Sequence, residues 1–144
     1  MRSYSTLSTA QRNRLETQPI ILSSALVSLS SLALCFCVAC HPFRNNNRGL
    51  EEHLWDIQGL HGVEVLNGST DMEANRKALA LCRARGMQAV GASDAHWTSQ
   101  LGQYATEVPG NQKTLEEFVA ALHEGGLRPA AYEEGNGYRF IDTF

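Results

Sequence analysis

From residue 49 onward, apolar and polar positions follow patterns that predict strands and helices in turn. Four segments have the length and apolar content of strands: residues 62–66, 87–91, 104–108 and 138–144. Two Thr-x-x-Glu sequences, at residues 70–73 and 114–117, are capping boxes that predict the start of a helix. Because strands and helices alternate, the pattern favours an α/β fold with a mainly parallel sheet.

The helix predicted at residues 115–124 is clearly amphipathic. Its apolar residues recur at helical spacing and are predicted to face the core: Leu115, Phe118, Val119 and Leu122. Gly125 and Gly126 follow as a stop signal. A shorter helical pattern, formed by Leu50, Leu54 and Ile57, precedes the strand at 62–66.

The first 40 residues have a different character. Residues 1–19 are polar and include three arginines, whereas residues 20–40 contain no charged side chain. An apolar run of about twenty residues matches a bilayer span, and a basic flank is typical of a signal peptide or a membrane anchor. We expect a cytoplasmic protein, and a membrane-anchored or exported one is the alternative.

A buried parallel strand at residues 32–39 is the competing interpretation of the end of this run, because such strands are apolar on both faces. On that interpretation the chain divides into a leader, residues 1–31, and a domain, residues 32–144. The apolar run then belongs in part to the fold and not to a membrane.

Composition narrows the class of protein only slightly. The chain has 144 residues, of which 43% are hydrophobic and 19% charged, as in an ordinary globular domain. The net charge of −3 and the absence of a concentrated basic cluster give no nucleic-acid footprint. A lone Cys37-x-x-Cys40 is a weak signal for zinc or redox chemistry, and ordinary buried thiols are the simpler interpretation.

The most informative residues are Asp94 and His96, in Ser93-Asp94-Ala95-His96 directly after the strand at 87–91. On an extended segment, residues two apart point to the same side, so this pair offers an oxygen and a nitrogen to a divalent metal ion. His41 also follows an apolar run, about fifty residues earlier, and two strand ends can meet at one rim of a sheet or barrel. The alternative is that Asp94 caps a short helix.

Two further residues are candidates for supporting roles. Arg44 lies three residues after His41, and its planar fork suits a phosphate group, although a surface arginine is the simpler interpretation. Glu64 stands between two valines of a predicted strand, where a carboxylate faces either solvent or a site.

Several sequence blocks resemble, in order and spacing, the C-terminal half of the PHP (polymerase and histidinol phosphatase) family of metal-dependent phosphoesterases. They are Cys40-His41-Pro42-Phe43-Arg44, Gly62-Val63-Glu64-Val65-Leu66-Asn67-Gly68, Gly91-Ala92-Ser93-Asp94-Ala95-His96, Leu101-Gly102 and Thr106. The resemblance covers about residues 38–126.

The resemblance implies a partial distorted barrel of the (β/α)7 type, with a metal cluster of zinc, manganese or iron at the strand ends. It implies that His41, Asp94 and His96 are metal ligands, and that Glu64 supports the site without binding the metal itself. The implied activity is hydrolysis of phosphomonoesters or nucleotide phosphates by metal-activated water, so the expected partner is a phosphorylated small molecule or nucleotide.

The chain departs from the family at its beginning. The family opens with His-x-His and further early ligands, but no histidine precedes His41 in this sequence. We therefore expect a truncated domain, and the sequence leaves open whether it is an active enzyme. The alternatives are a catalytically dead metal- or phosphate-binding domain and a membrane-anchored accessory protein. A half barrel exposes strand edges, so an oligomer or a partner chain is also expected.

Overall fold

The structure, a computed structural model, describes residues 35–45 and 49–142 of the chain. Its elements, in chain order, are β1 (Val38–Ala39), a 3-10 helix (Glu51–Asp56), β2 (Gly62–Asn67), α1 (Met72–Ala84), β3 (Gln88–Ala92), a second 3-10 helix (Thr98–Gln100), β4 (Tyr104–Glu107), α2 (Leu115–Glu124), β5 (Arg128–Glu133) and β6 (Gly137–Phe140).

The first sheet is parallel and has the order β1-β2-β3. Val38 pairs with Gly62 and Gly62 pairs with Gln88, and the register shifts between Glu64 and Leu66. Strand β2 is buried along its whole length, as expected for a central parallel strand. Helix α1 packs on this sheet, and together with Leu54 of the first 3-10 helix they form most of the core: Val63, Val65, Leu66, Ala78, Leu81 and Cys82.

The second sheet is antiparallel and has the order β4-β5-β6. It is attached to the first sheet through side chains. The Thr106 hydroxyl accepts from the Gly91 N–H at 2.8 Å and donates to the Gly91 carbonyl at 2.7 Å. The Ser93 hydroxyl makes the same two-way contact with the backbone of Tyr104, at 2.9 and 3.0 Å. The end of β3 is therefore held firmly against β4.

The prediction of a partial (β/α)7 barrel is wrong. The described residues form two separate three-stranded sheets, of which only the first is parallel. For β4 to pair in parallel with β3, the chain would need a long crossover between them, usually a helix. Residues 93–103, which join these two strands, contain only a three-residue 3-10 helix. A tight turn joins β5 to β6, and this connection makes that pair antiparallel.

Most local predictions are confirmed, with small shifts. The strands at 62–66, 87–91 and 104–108 and the helix at 115–124 are present, and β6 is the predicted last strand. The Thr114 hydroxyl accepts from the Glu117 N–H at 3.2 Å, as the capping box requires. Helix α1, however, is capped by Asp71, whose carboxylate accepts from the Ala74 N–H at 2.8 Å, so the predicted cap at Thr70 is one residue early.

The apolar face of α2 is not covered as predicted by the part of the chain that the structure describes. Leu115 is 72% exposed and Phe118 is 40% exposed. Ala121 is the buried residue of this helix.

The structure tests the predictions for the first 40 residues only at their end. Strand β1 confirms the predicted strand for Val38–Ala39 alone. Residues 1–34, which include most of the apolar run, lie outside the described ranges. Within those ranges, the helices are too short or too polar to cross a bilayer.

Candidate functional site at the strand ends

Polar side chains at the ends of the three parallel strands lie along one rim of the first sheet. His41 follows β1, Asn67 ends β2, and Asp94 follows β3. The carboxyl ends of parallel strands are the usual position of binding sites in α/β proteins. We call the residues that meet here the rim site: His41, Arg44, Glu64, Asn67, Ser69 and Asp94.

His41 occupies an unusual backbone conformation, with φ of 30°. Its backbone N–H donates to the Glu64 carboxylate at 2.5 Å. Its ring nitrogen Nδ1 is buried and has no hydrogen-bond partner, and among the described residues it is the one buried side-chain N or O atom in that condition. A buried imidazole nitrogen without a partner is costly unless something else binds it.

Asp94 also has a positive φ, of 47°. Its carboxylate forms an ion pair with Arg44, and the two side chains are only 22% and 17% exposed. The backbone carbonyl of Asp94 accepts from the Ser69 hydroxyl at 2.9 Å, so the loop after β3 is tied to the loop after β2. The predicted phosphate-binding arginine and a predicted metal ligand are therefore direct partners.

His96 is exposed and lies at the edge of the rim site. Its Nδ1 contacts the Asp94 carbonyl at 2.8 Å, and its backbone N–H donates to the Gln100 side chain at 2.8 Å. Because the backbone turns at Asp94, the extended geometry from which this pair was inferred does not occur. The two residues are neighbours through the backbone, and the Asp94 carboxylate faces Arg44 instead.

Glu64 is 5% exposed, which places its carboxylate inside the protein below the rim. Burial raises the pKa of Glu64, and the hydrogen bonds from the His41 N–H and the Asn67 amide partly oppose that rise. The carboxylate thus holds the backbone of His41 in place.

Asn67 is the central residue that the sequence interpretation missed. Its side-chain oxygen accepts from the Ser69 N–H at 2.9 Å and from the Thr70 hydroxyl at 2.8 Å, and its amide donates to Glu64 at 3.1 Å. The backbone N–H of Asn67 donates to the side-chain oxygen of Asn75, and the backbone carbonyl of Asn67 accepts from the Asn75 amide. A polar Asn75 among the apolar positions of α1 was the available signal, because buried amides need partners.

An open groove of about 370 Å³ adjoins the Arg44–Asp94 pair. It is lined by Arg44, Asn45, Ser69, Thr70 and Asp71. A guanidinium beside hydroxyl and amide groups is the kind of surface that accepts phosphate oxygens.

Residues 72–127 match the family model described as PHP-associated. The match is consistent with a C-terminal region of the PHP family, which confirms the resemblance seen in the sequence. Comparisons with curated proteins and with solved structures gave no match.

The PHP-associated region contains one member of the rim site, Asp94, together with the neighbouring His96. It begins at the start of α1, and the other five members precede it: His41, Arg44, Glu64, Asn67 and Ser69. Two observations therefore support a functional role for the loop after β3: the family match and the geometry. For the side chains that face this loop, the support comes from the geometry and the sequence resemblance.

The donor set at the rim fits a divalent cation in its chemistry but is not assembled around one point. His41 offers an imidazole nitrogen without a partner, and Asp94 offers a carboxylate, which are ligand types for zinc, manganese and iron. Within residues 35–45 and 49–142, however, no three histidine, cysteine or acidic side chains are grouped closely enough to hold a metal ion. The Arg44 guanidinium occupies the place beside Asp94 that a cation would take.

Cys40, next to His41, is poorly suited to thiolate chemistry. Desolvation raises the pKa of its thiol, and the negative charges of Glu64 and Asp94 raise it further. A thiol held in its protonated form is a weak nucleophile and a weak metal ligand, so the Cys37-x-x-Cys40 spacing gains no support as a zinc or redox motif.

Proposed function

We propose that this chain carries part of a PHP-type metal-dependent phosphoesterase site, which acts on a phosphomonoester or nucleotide phosphate. The observation that carries the proposal is the meeting of His41, Arg44 and Asp94 at the ends of parallel strands, in a chain whose residues 72–127 match a PHP-associated model. On this proposal a cation ligand and a phosphate-binding side chain lie side by side, an arrangement suited to metal-assisted phosphoester hydrolysis.

The residues that would hold a divalent cation are His41, Asp94 and His96, whose ligand chemistry suits zinc, manganese or iron. The cation would supply Lewis acidity and a hydroxide nucleophile. Glu64 holds the His41 backbone so that the ring stays at the rim. Ser69 fixes the loop that carries Asp94 through its hydroxyl group.

Arg44 has two roles in this proposal. It neutralises the Asp94 carboxylate in the arrangement described above, which keeps a half-buried charge paired. If Asp94 held a cation, Arg44 would be free of the Asp94 carboxylate and its guanidinium could meet a phosphate oxygen in the adjoining groove.

A second candidate function, binding without turnover, is favoured by one specific observation. Asp94 is already paired with Arg44, and the described residues contain no group of three metal-binding side chains. On this alternative the rim site binds one cation or a phosphorylated ligand and does not hydrolyse it.

The two functions are separated by an activity screen on the purified full chain. The screen uses phosphate monoesters and nucleotide phosphates in the presence of Mn²⁺, Zn²⁺ or Fe²⁺. We expect metal-dependent release of phosphate, and we expect Asp94→Asn and His41→Gln each to lower kcat/KM by about 100-fold or more, because each removes a proposed ligand.

Matched controls are available on the first 3-10 helix. Asp56→Asn and His53→Gln change the same chemical groups at exposed positions outside the rim site, and we expect near wild-type activity from both. If no substrate is hydrolysed but the wild type binds metal and Asp94→Asn loses it while the two controls keep it, the binding function replaces the phosphoesterase. If metal binding is also absent, both proposals fail.

A further inference from the structure

Asn75 is a buried amide on a helix face that is otherwise apolar. It is 4% exposed, and the other buried residues of α1 are alanine, leucine and cysteine. Asparagine forms helices less readily than alanine or leucine, and a buried amide is costly unless its polar atoms are bonded. The reason for an asparagine at this position therefore lies in its contacts outside the helix.

The side chain of Asn75 takes the place of a strand beside the end of β2. Within the described residues, β1 pairs only with Gly62 and Val63, at the start of β2. At the other end of β2, the Asn67 N–H donates to the Asn75 side-chain oxygen at 3.1 Å, and the Asn67 carbonyl accepts from the Asn75 amide at 3.2 Å. In a parallel ladder, both backbone groups of such a residue bond the neighbouring strand, so Asn75 supplies the bonds that a longer β1 would supply.

Through Asn67, this support reaches the groove beside Arg44. The Asn67 side-chain oxygen accepts from the Ser69 N–H at 2.9 Å and from the Thr70 hydroxyl at 2.8 Å. Ser69 and Thr70 line the groove, whereas Asn75 does not. Because both backbone groups of Asn67 are bonded, its side chain is held in the orientation that serves Ser69 and Thr70 together.

We propose that Asn75 is a positioning residue for phosphate binding at the rim site: it fixes Asn67, which in turn sets Ser69 and Thr70 against the groove. The inference rests on the proposed function, because it assigns the groove to a phosphate group of the substrate. Replacing Asn75 then weakens phosphate binding although every group that lines the groove is still present. A purely structural Asn75 would lower stability when replaced and leave the groove unchanged.

Nuclear magnetic resonance of the full chain tests the proposal, with Asn75→Leu as the variant and inorganic phosphate as the probe. Leucine keeps a buried side chain of similar size but removes both hydrogen bonds to Asn67. We expect the Ser69 amide to exchange at least about tenfold faster than in the wild type, relative to the buried Val65 amide of β2. We expect the phosphate affinity, followed by the amide shifts of Ser69 and Thr70, to fall about tenfold.

Leu81→Ala is the matched control, since Leu81 is also 4% exposed and belongs to the core on the same helix. It should lower the midpoint of urea unfolding but leave the relative exchange of Ser69 and the phosphate affinity unchanged. Asn75→Gln keeps both amide functions and should restore part of the affinity. If Asn75→Leu does not fold, Asn75→Asp takes its place, because it keeps the acceptor for the Asn67 N–H and loses only the donor.

If the wild type binds phosphate and the Asn75 variants bind it equally well, the inference is overturned and the proposed function stands. An equal loss of affinity in Leu81→Ala also overturns the inference, because general destabilisation would then explain the effect. If the wild type binds no phosphate, the result counts against the proposed function, and Asn75 is reduced to a structural support even where Ser69 exchanges faster.

Discussion

At the scale of single residues, the rim site is marked by backbone strain. Three residues other than glycine have a positive φ in the described ranges, and two of them are His41 and Asp94. Such a conformation costs on the order of 1–3 kcal/mol per residue and is retained where the surroundings enforce it, often at functional sites. Here the enforcing contacts are the Glu64 carboxylate beneath His41 and the Ser69 hydroxyl beside Asp94.

Gly68 permits the loops after β2 and β3 to approach each other closely. A methyl group on this residue would lie 2.5 Å from the Ser93 carbonyl oxygen and 2.8 Å from the Tyr104 ring. We therefore expect Gly68→Ala to lower the free energy of unfolding by about 1–3 kcal/mol, as overpacking does. Urea unfolding followed by circular dichroism measures it.

Gly62→Ala is the control for this substitution. Its added methyl group would approach the Gln88 carbonyl no closer than 3.2 Å, so it should destabilise the protein less than Gly68→Ala. An equal or larger loss in Gly62→Ala would show that the close approach at Gly68 is not the critical one.

The sequence identified candidate ligands by their type and spacing, but it did not reveal how they pair. Nothing in the local pattern indicates that Arg44 and Asp94, fifty positions apart, form an ion pair. Asn67 was missed as a site residue, because its role depends on Asn75 and Glu64, which only the folded chain brings next to it.

At the scale of elements, local signals predicted the helices and most strands, and long-range pairing could not be predicted. The bounds of α2 follow from its cap at Thr114 and its stop at Gly125, both of which are local. The choice between one barrel and two sheets depends on how β4 pairs with β5, across the whole of α2, and the apolar pattern of a short strand does not specify its partner.

His61 lies at the junction between β1, β2 and α2, and its protonation affects the stability of the fold. His61 stacks on Phe36, lies 4.6 Å from the His123 ring and accepts from the Cys37 N–H at 2.9 Å. Desolvation lowers the pKa of His61, and the neighbouring charge of His123 lowers it further. The unfolded chain therefore takes up this proton at a higher pH than the folded chain does.

We expect the stabilising contribution of neutral His61 to be complete above its unfolded pKa of about 6.5 and to be lost as the pH falls through its folded pKa. Urea unfolding at about pH 7.5 and 5.5 measures the loss. His61→Asn keeps an acceptor for the Cys37 N–H but cannot titrate, so its loss should be smaller. His53→Asn, at an exposed histidine, should behave as the wild type, and equal losses in all three proteins would refute the assignment.

At the scale of the whole molecule, the described residues form a small α/β unit with open edges. The strands β1 and β6 end their sheets, and the stripe on α2 is largely exposed. An oligomer or a partner chain, expected from the sequence, remains a proposal for covering the sheet edges. The rim site lies at the ends of the parallel strands of this unit.

The central claim is that Asp94 exchanges Arg44 for a divalent cation, and a Mn²⁺ titration followed by electron paramagnetic resonance tests it most directly. Manganese is suitable because it prefers oxygen and imidazole ligands and binds weakly to the cysteine thiols of this chain. We expect the wild type to bind Mn²⁺ and Asp94→Asn to lose it. Arg44→Met should bind about fivefold more tightly, the equivalent of about 1 kcal/mol, because it removes the competing cation.

Arg128→Met is the matched control, since Arg128 pairs with Glu107 at 2.5 Å on the far sheet and should leave Mn²⁺ affinity unchanged. Tighter binding in Arg44→Met alone would support the exchange at Asp94. Weaker or unchanged binding in Arg44→Met, or no binding by the wild type, would contradict it.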